Sequence, residues 1–115
     1  MSHQNFNDIT KQISGNVAKI HKAHPEVMQA FRQLGEAAGK AGALDPKTKE
    51  LIALGIAVAL RCEGCIGFHT QKLVKLGMTQ AEMMETLGIA IYMGGGPSVM
   101  YASEAVQAFE DFTAS

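Results

Sequence analysis

The fold follows from residues 45–69, which read DPKTKELIALGIAVALRCEGCIGFH. Asp45 and Pro46 predict a helix start, because an Asp side chain caps the free N–H groups of a first turn and proline fits the first helical position. Every residue from Leu51 to Leu60 is apolar or glycine, which predicts a buried helix. A chain of 115 residues has little surface with which to surround it. The helix is therefore either central in a bundle or covered by a second subunit, and we expect the second arrangement.

The remaining sequence carries the same helical signature. Ala, Leu, Met, Lys, Glu and Gln are frequent, and no alternating pattern of β-branched residues is sustained. The sequence predicts an all-α, single-domain bundle of about six helices over residues 1–115, with a loose polar tail at residues 1–7. The helices are expected from about residue 8 to 21, from Pro25 to the glycines at 39–42, from Pro46 through Leu60, from the turn at 61–64 to Leu76, from the capping box at Thr79–Glu82 through Ile91, and from Pro97 to Phe112.

The second predicted helix has one apolar face. Its large apolar residues recur at helical spacing and are expected to face the core; they are Val27, Met28, Phe31 and Leu34.

Charge and hydropathy exclude several partners and locations. A formal net charge of −1 gives no electrostatic reason to expect binding to nucleic acid or to an anionic membrane. The longest apolar run is about half of the ~20 residues that a membrane-spanning helix needs. The N-terminus has no basic segment followed by an apolar one, so no secretory signal is expected. We therefore predict a cytoplasmic protein, and in the cytosol a Cys-x-x-Cys motif is more often catalytic or metal-binding than structural.

The only two cysteines, Cys62 and Cys65, stand three residues apart, and His69 follows four residues later. On a helix this spacing places two thiols and an imidazole on one stripe. The thiolate is the reactive form of cysteine, and an adjacent histidine or a helix N-terminus favours it. The stripe therefore has the groups needed for reversible thiol–disulfide or peroxide chemistry. The alternative is that Cys65 is a small core residue and His69 a solvated helix histidine.

A Cys-x₂-Cys-x₃-His run can also bind zinc, but a structural zinc site needs four ligands and this run supplies three. The other histidines lie in the N-terminal third without a paired ligand spacing; they are His3, His21 and His24. We therefore expect no metal.

Glu50 lies in the first turn of the third predicted helix, where an acid usually interacts only with the helix dipole. If the third and fourth helices form a hairpin, Glu50 lies about 18 Å and His69 about 10 Å from the turn, a mismatch of about 8 Å. That mismatch could be bridged in four ways: by the crossing of the helices, by long side chains, by a water molecule, or by Glu50 from a neighbouring subunit. The sequence leaves these possibilities open.

Taken together, Glu50, Cys62, Cys65 and His69 form the pattern Glu, then Cys-x-x-Cys twelve positions later, then x-x-x-His. In this pattern the chain resembles the alkylhydroperoxidase AhpD-like branch of the carboxymuconolactone decarboxylase superfamily. The flanking sequences KELIAL before the motif and GGGP after it agree, and the resemblance covers roughly residues 25–112.

The resemblance implies an all-α subunit that assembles into dimers, trimers or hexamers, with no metal or organic cofactor. It implies that Cys65 is the thiolate that meets the oxidant and becomes a sulfenic acid. Cys62 would donate a proton and then close the Cys62–Cys65 disulfide, and His69 and Glu50 would form a proton relay. The expected activity is that of a thiol-dependent peroxidase or disulfide oxidoreductase, with a hydroperoxide or disulfide substrate and a thiol electron donor.

Two other classes of function remain. One is a non-redox enzyme of the same superfamily, in which His69 and Glu50 act as acid and base on a lactone or a related acid. The other is a non-catalytic oligomer or a small metal-binding module.

Overall fold

The structure, a computed structural model, describes residues 4–114. Over these residues it consists of helices joined by short turns, without a β-strand. The helices are α1 (Phe6–Ala23), α2 (Pro25–Gly39), α3 (Pro46–Ala59), α4 (Glu63–Lys75), α5 (Gln80–Gly94) and α6 (Gly96–Ala114). The all-α, six-helix fold expected from the sequence is confirmed within this part of the chain.

Two of the helix starts expected from the sequence have the predicted capping bonds. The Asp45 carboxylate accepts a hydrogen bond from the Thr48 backbone N–H at 2.7 Å, at the start of α3. At the start of α5, Thr79 and Glu82 form a reciprocal capping box. These bonds depend only on residues close in sequence, which is why the sequence located both starts.

The first helix begins earlier than expected. The Asn5 side chain accepts a hydrogen bond from the Asn7 backbone N–H at 2.8 Å, which caps α1 at Phe6. Phe6 is fully buried in a small cluster with Ala108 and Phe112 of α6. The expected loose tail at residues 1–7 is therefore wrong for Phe6 and Asn7. Residues 1–3 lie outside the described residues.

The main core lies where α3, α4, α5 and α6 meet. The first helix, α1, packs against α4 and α6. The large, fully buried side chains of this core come from α3, α4 and α5; they are Leu54, Val58, Ile66, Leu73 and Met83. Because α3 contacts α2, α4, α5 and α6, and α4 contacts α1, α3 and α6, the α3–α4 hairpin is the centre of the subunit.

A glycine-rich turn joins α5 to α6. Gly95 has a φ of +73°, a left-handed conformation that glycine adopts readily. A side chain at Gly94 would collide with the buried Ser98 side chain of α6. The predicted break in the helical pattern at these glycines is confirmed.

The expectation that the apolar face of α2 points into the core is wrong. None of its residues is buried, and Phe31 is 68% exposed, with Val27 and Leu34 similarly open. Among the described residues, α2 contacts only α1 and α3. Helical periodicity shows that α2 has an apolar face but not which surface covers it, because that depends on the path of the chain after Gly39.

The third helix is also only partly covered within one chain. Its residues Leu54, Ala57 and Val58 are buried, whereas Ile52 and Ile56 are exposed. The exposed side forms the wall of an apolar groove of about 480 Å³ between α3 and α5. We name this surface the α3–α5 groove, and the residues that line it include Ile52, Gly55, Ile56, Ile89 and Met93. Within the described residues, no helix is both long and apolar enough to cross a membrane.

We expect a second copy of the chain to cover the α3–α5 groove. Burial of one isoleucine side chain stabilises an interface by about 1.5–3 kcal/mol, and a carboxylate buried without a partner is costly. Ile56→Glu should therefore lower the molar mass measured by light scattering at micromolar concentration. Ile20→Glu, an exposed isoleucine of α1 outside this groove, is the matched control and should leave the mass unchanged. A wild-type chain that remains monomeric at that concentration would contradict the expectation.

Candidate functional site

The two cysteines form a disulfide at the junction of α3 and α4. Their Cα atoms lie 5.2 Å apart, a separation that disulfide geometry accommodates. Cys65 is exposed and Cys62 is half-buried. The disulfide is thus open to solvent on the Cys65 side, where a small reactant can reach it.

A tight turn after α3 fixes the position of Cys62. The Arg61 backbone N–H donates to the Val58 carbonyl, and the Cys62 backbone N–H donates to the Ala57 carbonyl, both at 3.1 Å. Such a pair of bonds closes a helix end and requires a left-handed residue, usually glycine. Here Arg61 takes this conformation, with a φ of +59°, which costs about 1 kcal/mol or more for a residue with a Cβ. The turn is therefore strained immediately before the first cysteine.

Cys62 is the N-cap of α4, a position more often taken by Ser, Thr, Asp or Asn. Its Sγ accepts a hydrogen bond from the Cys65 backbone N–H at 3.2 Å. When the disulfide is reduced, a thiolate at this position would accept the same bond and face the positive end of the helix dipole. The backbone therefore favours the charged form of Cys62, whereas solvent reaches Cys65 more easily.

Glu50 and His69 are in direct contact within one chain. His69 Nδ1 lies 2.7 Å from Glu50 Oε2, and the two side chains are 35% and 14% exposed. The side chains of the two residues thus bridge the axial mismatch between α3 and α4 without help from a second subunit. Because an ionised carboxylate only accepts hydrogen bonds, this contact requires a proton on Nδ1. Nε2 is then the ring nitrogen available to a reactant.

Lys72 is a member of this group that the sequence interpretation did not identify. Its Nζ lies 3.3 Å from Glu50 Oε1, so the Glu50 carboxylate is shared between His69 and Lys72. The signal was present in the sequence, since Lys72 continues the Cys65–His69 stripe by one further helical turn.

The structure thus contains two pairs of predicted site residues, Cys62 with Cys65 and Glu50 with His69. No hydrogen bond joins one pair to the other among residues 4–114.

Comparison with known proteins identifies the family of the chain. The model of the carboxymuconolactone decarboxylase family matches residues 25–108, which include both helices of the site. The chain belongs to this family. The resemblance stated from the spacing of Glu50, Cys62, Cys65 and His69 is thereby confirmed at the level of the family.

Solved structures of family members share the fold. One is a carboxymuconolactone decarboxylase family protein from Legionella pneumophila in its apo form, with a TM-score of 0.93 and 58% identity. The alignment covers 96% of this chain and 99% of that one. Another is a family member from Thermotoga maritima, described with a suggested involvement in antioxidative response. It has a TM-score of 0.77 and 29% identity, over 96% of this chain and 92% of that one.

A curated relative comes from Cupriavidus necator and is an uncharacterized protein. It is 38% identical over 103 residues, which are 90% of this chain and 91% of the relative.

Two glutamates, Glu63 and Glu104, form a carboxyl pair in this family member, and Glu63 lies between the two cysteines in the sequence. The side chain of Glu63, in the first turn of α4, interacts with that of Glu104 on α6. Burial, followed by the bond to Glu63 and the repulsion between the two carboxylates, raises the pKa of Glu104 to about 7. Glu104 lies far along the chain and had no sequence signal, because only the packing of α6 on α4 brings it to the site.

The Glu50–His69–Lys72 group faces an open cleft of about 920 Å³. We name it the α2–α4 cleft; its walls come from α1, α2, α3 and α4 and include Phe31 and Phe68.

Within residues 4–114, no three His, Cys, Asp or Glu side chains converge as metal ligands would. His3, considered above as a ligand, lies outside the described residues.

The raised pKa of Glu104 predicts a pH-dependent effect of its removal. The folded protein holds the Glu104 proton up to about pH 7, whereas the ordinary value is 4.5. The contribution of Glu104 to the free energy of unfolding therefore falls as the pH rises from 4.5 to about 7, and the fall is complete above that range. Glu104→Gln removes this loss and should raise the free energy of unfolding at pH 8, by less than about 1 kcal/mol because solvent screens the pair.

At pH 4 the Glu104 carboxyl is protonated and, like the glutamine that replaces it, uncharged. Glu104→Gln should therefore have little effect on the free energy of unfolding at that pH. Denaturant unfolding at the two pH values measures the difference. Glu85→Gln, on the exposed side of α5, is the matched control. An equal effect of Glu104→Gln at both pH values would show that the carboxyl is not held protonated by the fold.

Proposed function

We propose that this protein is a thiol-dependent peroxidase or disulfide oxidoreductase that uses Cys62 and Cys65. The observation that carries the proposal is the Cys62–Cys65 disulfide at the start of α4, one helical turn from the Glu50-bound imidazole of His69. A dithiol that closes without a large backbone change, beside a positioned base, is suited to repeated oxidation and reduction. The description of the Thermotoga family member supports the same class of activity.

In the first step, the Cys65 thiolate attacks the terminal oxygen of a hydroperoxide. The O–O bond breaks, Cys65 becomes a sulfenic acid, and the alkoxide leaves as an alcohol after it takes a proton. The Cys62 thiolate then attacks the Cys65 sulfur and expels hydroxide, which is protonated to water, and the disulfide forms. Overall, two thiols and one hydroperoxide give one disulfide, one alcohol and one water.

The geometry supports a division of roles between the two cysteines. Cys65 is the exposed sulfur, which suits contact with the oxidant. Cys62 accepts the Cys65 N–H at the helix N-terminus, which suits a thiolate that attacks second. His69, held by Glu50, is the candidate proton donor to the departing oxygen, directly or through a water. A thiol compound in a reducing compartment such as the cytoplasm would restore the dithiol.

Stoichiometric oxidation tests this function. The reduced protein is mixed with one equivalent of hydroperoxide, and thiols and intact mass are then measured. Both thiols should disappear with a mass decrease of two hydrogens. Cys65→Ser should abolish turnover, whereas Cys62→Ser should leave a trapped sulfenic acid or mixed disulfide on Cys65. The proposal fails if both wild-type thiols stay free under conditions that oxidise a model dithiol.

The role of His69 is tested by the pH dependence of thiol alkylation. An imidazole close to the thiols favours the thiolate, so His69→Ala should move the midpoint of alkylation by iodoacetamide about one pH unit higher. His24→Ala, an exposed histidine at the α1–α2 junction outside the cleft, is the control and should behave as wild type. Identical alkylation profiles for wild type and His69→Ala would exclude the pairing.

A second candidate function also has an observation in its favour. The Glu50–His69–Lys72 group lines the α2–α4 cleft, whereas neither cysteine does. This arrangement suits a non-redox acid–base reaction on a small acid bound in the cleft. Activity that survives replacement of both cysteines by serine would identify this function and remove the peroxidase proposal.

A further inference from the structure

The α2–α4 cleft exists because α2 stands apart from α4. Among the described residues, α2 contacts α1 and α3 but not α4, and the space between α2 and α4 is open. Large apolar side chains line this space from three helices, namely Val17, Met28, Phe31 and Phe68. An exposed apolar surface with polar groups around it is typical of a binding site for a partly apolar molecule.

The charges of the cleft favour a single anionic group. Its lining includes three cations and two carboxylates, so the balance is one positive charge when histidine is neutral. Arg32 pairs with Glu36 at 3.7 Å, and Lys72 pairs with Glu50 at 3.3 Å. The third cation, Lys75, makes no ion pair within residues 4–114. It is therefore the cation available to an incoming anion.

The register of α4 relates this cation to the reactive groups. Cys65, His69 and Lys72 follow one stripe of the helix, and Lys75 lines the same cleft as His69 and Lys72, one turn beyond Lys72. Ten positions separate Cys65 from Lys75, which is about 15 Å along the helix axis. Cys65 does not line the cleft but lies one turn before His69 on the same stripe. A molecule with its anionic group at Lys75 would therefore lie along the apolar wall and extend past His69, out of the cleft, to reach Cys65.

We propose that the α2–α4 cleft binds long-chain organic hydroperoxides that carry one carboxylate, the class of fatty-acid hydroperoxides. This inference rests on the proposed function and adds its substrate class. The carboxylate pairs with Lys75, the hydrocarbon chain packs against Phe31 and Phe68, and the peroxide lies near Cys65 and His69. Lys75 thus determines specificity, and the reaction itself is the two-thiol oxidation given above.

The first test measures binding alone and uses the disulfide form, so it needs no redox activity. Binding of decanoate, methyl decanoate and decylamine, below their micelle concentrations, is followed by calorimetry and by amide chemical shifts. Decanoate should bind most tightly and shift the amide signals of Phe68 and Lys75. Lys75→Gln should weaken decanoate binding about fivefold, as the loss of one solvent-exposed ion pair would.

Lys11→Gln, an exposed lysine of α1 that does not line the cleft, is the matched control and should bind as wild type. Equal binding of decanoate and its methyl ester, with no effect of Lys75→Gln, would overturn the inference. Failure of all three molecules to bind would overturn it as well, as expected if a second copy of the chain filled the cleft.

The second test measures specificity in the reaction. The reduced protein is oxidised by linoleic acid hydroperoxide, by its methyl ester, or by tert-butyl hydroperoxide. The acid should react faster than the ester, and Lys75→Gln should lower the ratio of the two rates about fivefold, whereas Lys11→Gln should leave the ratio and the rate with tert-butyl hydroperoxide as in wild type. If no hydroperoxide oxidises the thiols, the proposed function fails, and the binding test still decides whether the cleft accepts a long-chain carboxylate.

Discussion

The site depends on the tight turn between α3 and α4. Two backbone hydrogen bonds, from Arg61 to Val58 and from Cys62 to Ala57, end α3 and reverse the chain. The same turn places Cys62 as the cap of α4, so the first reactive sulfur serves as the helix start. The left-handed conformation of Arg61 costs free energy that the packing of the two central helices must offset. A longer or looser turn would change the crossing of α3 and α4 that brings Glu50 to His69.

The electrostatics of the site come from shared carboxylates. Glu50 is nearly buried and interacts with His69 on one oxygen and with Lys72 on the other. The contact with Glu50 Oε2 holds Nδ1 of the imidazole and leaves Nε2 as the ring nitrogen available to a reactant. On the α6 side of the cysteines, burial and Glu63 hold the proton of Glu104 up to about pH 7. The helix that starts at the disulfide thus contributes to both groups, through His69 to the ion-paired one and through Glu63 to the carboxyl pair.

The exposed apolar side chains fall on two surfaces with different chemistry. The α3–α5 groove is lined almost entirely by aliphatic residues such as Ile56 and Ile89, without a charged group among its walls. Its composition resembles that of a protein interface core, which is why a second copy of the chain is its expected partner. The α2–α4 cleft combines aromatic side chains with lysines and carboxylates and contains the acid–base group, so its chemistry suits a small amphipathic molecule. The third helix contributes to both surfaces, to the groove with Ile52 and Ile56 and to the cleft with Glu50.

The sequence by itself determined the six-helix, all-α fold and pointed to Glu50, Cys62, Cys65 and His69 as candidate site residues. Helix starts at Asp45 and Thr79 were predictable because capping bonds join residues three positions apart. The cysteine and histidine stripe followed from the helical repeat alone. The tertiary structure decided everything that depends on how helices cross. It made Glu50 a direct partner of His69, brought Glu104 to Glu63, and left the apolar face of α2 open instead of buried. Periodicity defines the faces of one helix, but only the packing of all six determines which face meets which, and that is why the cleft could not be predicted from the sequence.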